Sequence, residues 1–229
     1  MIALVRMRLV GFVQTGRAAA PLFCTLVVLS ILYGGGQSQA GEAYGVSAAI
    51  LFAVLAWQTK VLMDVEPDVQ RRLSRIAVGG ATREITAGLL AAVLAGLPVV
   101  LVALILPWVV GGVTTPRAGD PPLSTGIALG VWAHLLLLLP AVVLGALASR
   151  AVTGHTGRGL TVLVAGIVFA IVFGLKSFPV PWLAPPVMVT ARDTVGAAHL
   201  PAVLLATGWG IAWSAVFTAV YARIRREQA

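Results

Sequence analysis

The chain has 229 residues, of which 59% are hydrophobic and only 10% charged, with a formal charge of +8. So few ionisable groups cannot coat a globule in water, which excludes a soluble domain. The basic residues stand in short clusters between apolar runs and not along one polar face, so the excess charge reads as membrane topology and not as a nucleic-acid surface.

Six uncharged runs, 18–41, 43–59, 85–116, 121–149, 159–175 and 194–222, are each long enough to cross a bilayer. A further run, 177–191, contains Pro179, Pro181, Pro185 and Pro186, whose missing amide donors lipid cannot replace, and it reads as a broken segment. Six spans and their loops use up nearly the whole chain. The expected fold is therefore an all-α membrane protein of six transmembrane helices, one transmembrane domain over 1–229.

In chain order, 1–20 mixes Arg6, Arg8 and Arg17 with Ile2, Leu4, Val5, Leu9, Val10, Phe12 and Val13, a pattern that predicts an N-terminal interfacial helix. Spans 1 and 2 occupy 21–62, hinged at Gly34-Gly35-Gly36. Ser38-Gln39-Ala40 has the form of a signal-peptide cleavage site, but the basic stretch ahead of the run is long and favours a retained first span. Cys24, the single cysteine, lies in that run and reads as packing.

The most polar stretch is 63–84. Glu66-Pro67-Asp68 suits a helix N-terminus and Arg71, Arg72 and Arg75 suit its C-terminal end. Val69, Leu73 and Ile76 fall at i, i+4 and i+7, which predicts a two-turn helix with an apolar stripe, closed by Gly79-Gly80. Such a stripe beside arginines suits either a groove on a partner protein or a membrane surface. Thr82 is the expected cap of span 3, with Glu84 in its first turn.

Spans 3 to 5 occupy 85–175, with kinks expected at Pro98 and Pro107 and a short turn at 153–158. Gly166, Ala170 and Gly174 recur every four residues on span 5, a small-residue seam for a second helix of this chain or of a second subunit. An outer segment, 176–200, reads as short interfacial or re-entrant pieces, and 201–229 as span 6 with a basic cytoplasmic tail. With both termini cytoplasmic, 13 of the 16 Lys and Arg lie inside, and only Arg117, Lys176 and Arg192 lie outside. The positive-inside rule therefore predicts a multi-pass protein of the cell membrane with both ends in the cytoplasm.

Catalytic signatures are missing from the sequence. There is no GxxxxGK[ST] loop, GxSxG, HExxH or CxxC, which leaves ATP hydrolysis, nucleophilic catalysis and a metal site without support. His134 alone is ionisable deep within a span, where a histidine ordinarily bonds a neighbouring helix. Lys60 and Asp64, at the end of span 2, are placed to reach headgroups. Trp57, Trp132, Trp209 and Trp213 read as interface anchors.

Together, the N-terminal surface helix, six spans and charged helix between spans 2 and 3 resemble the permease subunit of a type-2 ABC exporter. The most suggestive local pieces are Asp68 to Arg75 followed by Ala81-Thr82-Arg83-Glu84-Ile85, and Leu183-Ala184-Pro185-Pro186 after span 5. The resemblance implies a coupling helix in which Asp68, Val69, Gln70, Arg71, Arg72, Leu73 and Arg75 engage a separate ABC-type ATPase, braced by the interfacial helix. It implies a second permease chain, identical or related, and ATP with Mg bound by the partner and not by this chain. Such a subunit is no enzyme itself, meets membrane lipid, and has no nucleic-acid partner. A stand-alone small carrier or membrane assembly factor has the same fold without an ATPase. An intramembrane hydrolase would need His134 or His155 paired with a nucleophile, and the sequence offers none.

Overall fold

Helix follows helix from end to end in the computed structural model, which describes residues 1–175, 179–195 and 199–227. Lys176, Ser177, Phe178 and Gly196 to Ala198, all in the predicted outer segment, lie outside the described residues, as do Gln228 and Ala229. The α-helices are α1 (Ile2–Gln14), α2 (Ala19–Gly34), α3 (Ala40–Met63), α4 (Asp68–Ala77), α5 (Ala81–Val109), α6 (Leu123–Leu147), α7 (Arg150–Thr153), α8 (Thr156–Phe173), α9 (Val187–Asp193) and α10 (Leu200–Glu227), with a 3-10 turn at Pro181–Leu183. Among the described residues the only β-type pairing is one bridge, Ser38 to Val113, which ties the α2–α3 loop to the α5–α6 loop.

α3, α5, α6, α8 and α10 are each long and apolar enough to cross a membrane, and the bent pair α1 and α2 brings the number to six if counted as one span. The two helices of that pair meet at 69°. α2 stops at Gly34 after 16 residues, roughly 24 Å of helix against a hydrocarbon layer of about 30 Å. The glycines after it release the chain from the helix earlier than the 18–41 run suggests. α10, by contrast, outlasts its apolar run and carries Arg223, Arg225 and Arg226 on three further helical positions before Glu227. These helices give the chain the character of a multi-pass membrane protein.

Burial separates an inner pair from an outer set. In their most apolar stretches α3 and α6 are 67% buried, α5 33%, and α8 and α10 only 17%. The apolar effect cannot drive helices together where the surroundings are themselves apolar, so close backbone contact must do it. At Gly130 a Cβ would strike the Tyr44 ring, and at Gly145 it would strike the Ala56 carbonyl oxygen. Glycine at these two positions of α6 lets α3 lie against its backbone. The outward faces of α8 and α10 carry exposed Leu160, Val164, Val168, Leu204, Leu205 and Val216, which only lipid or another apolar surface can cover.

α5 runs unbroken through Pro98 and Pro107. Each proline removes an amide and disturbs the carbonyls a turn earlier. α3 serves both disturbed turns: Gln58 Nε2 donates to Ala95 O at 2.7 Å, and the Tyr44 hydroxyl donates to Leu104 O at 2.7 Å. Trp108 Nε1 donates in turn to the Tyr44 hydroxyl at 2.6 Å.

The small-residue seam of α8 faces its own chain. A Cβ on Gly166 would strike the Leu144 side chain of α6, one on Gly174 would approach Met188 of α9 at 2.8 Å, and Ala170 is fully buried between them. Between α8 and α10, Ala184, Val187, Thr190 and Thr194 are almost wholly buried, and Trp213 Nε1 of α10 donates to Leu183 O at 2.9 Å. Thr194 reaches α3 where Gly41 and Gly45 leave room for it. Thr82 does not cap α5: the helix begins at Ala81 behind Gly80, whose φ of +134° only glycine adopts freely.

Candidate functional site

One end of the bundle, where α3 and α6 stop and α5 begins, draws together residues from α1, α4, α5 and α10 into a closed network of charge. Glu84, in the first turn of α5, is its hub and is 3% exposed. Its Oε1 accepts from Arg8 of α1 and its Oε2 accepts from Arg225 Nη2 of α10 at 2.9 Å. Arg8 also donates Nη1 to the Glu84 backbone oxygen at 3.1 Å, and Nε and Nη2 to Glu66 Oε2 at 3.0 and 2.7 Å. The other Glu66 oxygen accepts from the Ser74 hydroxyl of α4 at 2.6 Å.

Local sequence explains how these groups meet. α1 packs Leu4, Val5 and Phe12 against Leu62, Ala87 and Ala91, which turns Arg8 inward, and Gly88 keeps the α5 surface low enough for its guanidinium. Pro67 ahead of α4 holds Glu66 just outside that helix, with its carboxylate pointing back to Ser74. A carboxylate in the first turn of α5 is favoured by the helix dipole even before the arginines arrive.

Arg71 lies beside the hub. Its Nη2 donates to Met63 O at 3.1 Å and Glu66 O at 3.0 Å, and its Nη1 to Asp68 Oδ1 at 3.1 Å. Burial and then the neighbouring Arg225 cation pull its guanidinium below the ordinary arginine value, against the opposing pull of Asp68, Glu84 and Glu66. Arginine stays charged through such a shift. Arg8, Arg71 and Arg225 thus balance Glu66, Asp68 and Glu84, and the network is formally neutral.

A second pair sits next to it. Lys60 Nζ meets Asp64 Oδ2 at 2.7 Å, and Asp64 Oδ1 accepts from the Arg150 backbone N–H at 2.7 Å, which caps α7. Both side chains point inward, where the sequence suggested that they reach headgroups. Each has a better partner inside than water at the membrane edge offers.

The predicted coupling residues divide by face. Val69 and Leu73 are 72% and 62% exposed, Ile76 is 78% exposed, and Asp68, Gln70 and Arg72 are also at the surface. Arg75 is half-buried and donates Nη2 to Arg225 O at 3.2 Å, and Arg71 is buried. Of the interfacial arginines, Arg8 enters the network, Arg17 donates to Asp64 O at 3.0 Å, and Arg6 points outward. Glu66, Glu84 and Arg225 were not among the expected site residues. The available signal was that Glu84 stands immediately before the longest uncharged run of a chain with only eight acids.

In the middle of the bundle the contacts of His134 are those of a neutral polar group. His134 Nδ1 bonds Gly130 O at 2.8 Å, which leaves Nε2 to accept from the Ser47 hydroxyl of α3 at 3.2 Å. His155 and His199 are at the surface. Among the described residues no three His, Cys, Asp or Glu side chains gather in a way that could hold a metal ion.

Fold and site define an all-helical chain of multi-pass membrane character whose charges collect at one end. No family model, no curated protein and no solved structure matches it.

Proposed function

We propose that the chain is the permease subunit of an ABC-2 type exporter, a six-span transmembrane subunit that forms a translocation path with a second permease chain. α1 is its interfacial helix, α4 its cytoplasmic coupling helix, and the 3-10 turn with α9 its short re-entrant outer segment. Both termini lie in the cytoplasm, where the cluster of Arg and Lys belongs. ATP and Mg bind to the partner ATPase, whose closure pushes α4.

The observation that carries this reading is the two-sidedness of α4. One side presents Val69, Leu73 and Ile76 to solvent, an apolar stripe that no neighbour among the described residues covers. The rest of α4 is fastened through Arg71, Ser74 and Arg75 to groups that also hold α1, α5 and α10. A push on the stripe is therefore transmitted as a rigid displacement to the ends of those three helices, since buried ion pairs break only at high energy. A free-standing carrier has no use for an exposed stripe on a helix anchored in this way.

The test is co-purification from native membranes. An ABC-type ATPase accompanies the tagged wild-type chain and is lost with Leu73→Asp, a surface change that leaves the unfolding temperature of the chain itself unaltered. If the chain is purified alone in both cases and still moves cargo without nucleotide, the stand-alone carrier is the correct reading.

A further inference from the structure

α4 has a third aspect, which adjoins its apolar stripe at Ile76. At about 100° per residue, Asp68, Arg71, Arg72 and Arg75 turn towards α7 and the end of α10. Between these elements lies a cleft of about 560 Å³, whose charged wall is those four residues together with Arg150 and Arg225, with Ile76 of the stripe also lining it. Its charge is one-sided, with five guanidiniums and a single carboxylate.

The counter-charges are already committed. Asp68 Oδ1 takes Arg71 at 3.1 Å and lies 3.9 Å from Arg150 Nη2, while Glu84 holds Arg225 from behind at 2.9 Å. Among the described residues Arg72 and Arg75 have no carboxylate partner. The Nε atoms of Arg150 and Arg225 are buried without an acceptor. Arg71 and Arg225 are 7% and 6% exposed, so the cleft wall is built and not a chance meeting of surface side chains. Arginines converging from three elements with unused donors match a tetrahedral oxyanion, which can take several forked N–H bonds at once.

We propose that this cleft binds a phosphate group, and that its source is the headgroup of an anionic phospholipid. The cleft lies where the apolar helices end: α3 closes at Met63, α6 at Leu147, and the apolar run of α10 just before Arg223. That is the level of lipid headgroups for a chain of this character. The outward faces of α8 and α10 expose Leu160, Val164, Val168, Leu204 and Leu205, which lipid covers in a chain of this character, so headgroups stand at the level of the cleft. An anionic lipid therefore reaches these arginines without any partner protein. The proposal is independent of any ATPase partner, since it rests on the cleft and not on the stripe.

The experiment uses the full chain purified in a neutral detergent. Phosphatidic acid, phosphatidylglycerol, phosphatidylcholine and inorganic phosphate are each titrated, with retained lipid read by native mass spectrometry and the unfolding temperature read in parallel. The two acidic lipids are retained and raise the unfolding temperature, and phosphatidylcholine does neither. The double variant Arg72→Gln with Arg75→Gln weakens acidic-lipid binding about tenfold, the effect of losing a charge-assisted contact. Its lipid-free unfolding temperature falls slightly, because Arg75 also donates to Arg225 O, whereas Arg72→Gln alone keeps the wild-type value and still weakens acidic-lipid binding. Arg158→Gln, exposed and outside the cleft, binds as wild type does. Arg150→Gln provides a second route should the double variant fold poorly. Stabilisation by inorganic phosphate with no response to acidic lipid would keep the phosphate site and assign its source to solution. Equal binding of phosphatidylcholine and the acidic lipids, or equal loss in Arg158→Gln and the cleft variants, would overturn the proposal.

Discussion

The end of the bundle that gathers Arg8, Glu66, Glu84 and Arg225 is as closed to solvent as the seam between α3, α5 and α6. Glu84 is 3% exposed and His134 1%, yet the first region is filled with ions and the second with neutral hydrogen bonds. The difference follows from position along the helices. A buried ion needs several partners at once, and only where helix ends, loops and a surface helix meet can four elements supply them. In the middle of the seam each polar side chain sees one or two neighbours, enough for an amide, a hydroxyl or a neutral imidazole and far too few for a charge. Polar groups in the seam therefore trim helix packing, while those at the charged end decide whether α1, α4, α5 and α10 move together.

The largest expected effect comes from breaking that end at its hub. Glu84→Leu leaves Arg8 and Arg225 facing each other with one carboxylate withdrawn, a loss of about 3–5 kcal/mol in unfolding free energy. Denaturation in mixed detergent micelles measures it. Adding Arg225→Met removes one of the two stranded cations and recovers part of the loss, so the two changes are strongly non-additive. A fall below about 1 kcal/mol for Glu84→Leu, the level of an exposed pair, would mean that the network does not bind these helices to one another.

The spans were legible in the sequence because lipid demands long uncharged runs, and α4 because Val69, Leu73 and Ile76 keep helical spacing beside a dipole-matched set of charges. The hub was not. Arg8 and Glu84 are 76 residues apart and Arg225 and Glu84 are 141 apart, and no periodicity relates positions that only the packing of four helices brings together. For the same reason Arg71 counted as one surface arginine among several, although it is turned inward. The seam on α8 was visible as Gly166, Ala170 and Gly174, but spacing alone does not say which helix fills it. Leu144 and Met188, from two other elements, are the answer.

Removing a neutral bond from the seam should cost less. Tyr44→Phe takes away the hydroxyl that donates to Leu104 O and accepts from Trp108 Nε1, both in or beside the turn that Pro107 disturbs. Trp108 is 44% exposed and its indole N–H can turn outward, so the loss is that of the hydroxyl's bond to the Leu104 carbonyl. One buried hydrogen bond of this kind is worth about 1 kcal/mol, read by the same micelle denaturation. A loss as large as that of Glu84→Leu would erase the distinction between the two regions.

Gln58 sharpens the comparison from the weak side. Its Nε2 serves the Ala95 carbonyl next to Pro98, but its own Oε1 is buried with no partner. The bond made and the acceptor left dry are each of the order of 1 kcal/mol and opposite in sign. Leucine occupies a similar volume, loses the bond and relieves the stranded oxygen together, so Gln58→Leu should leave stability within about 0.5 kcal/mol of wild type. Glu66→Leu is the matching change at the charged end, where all the acceptor capacity in use serves Arg8 and Ser74 and nothing is relieved. Equal losses for the two variants would show that neither charge nor partner number sets the cost of a buried polar group in this molecule, and the contrast between the two regions would fall.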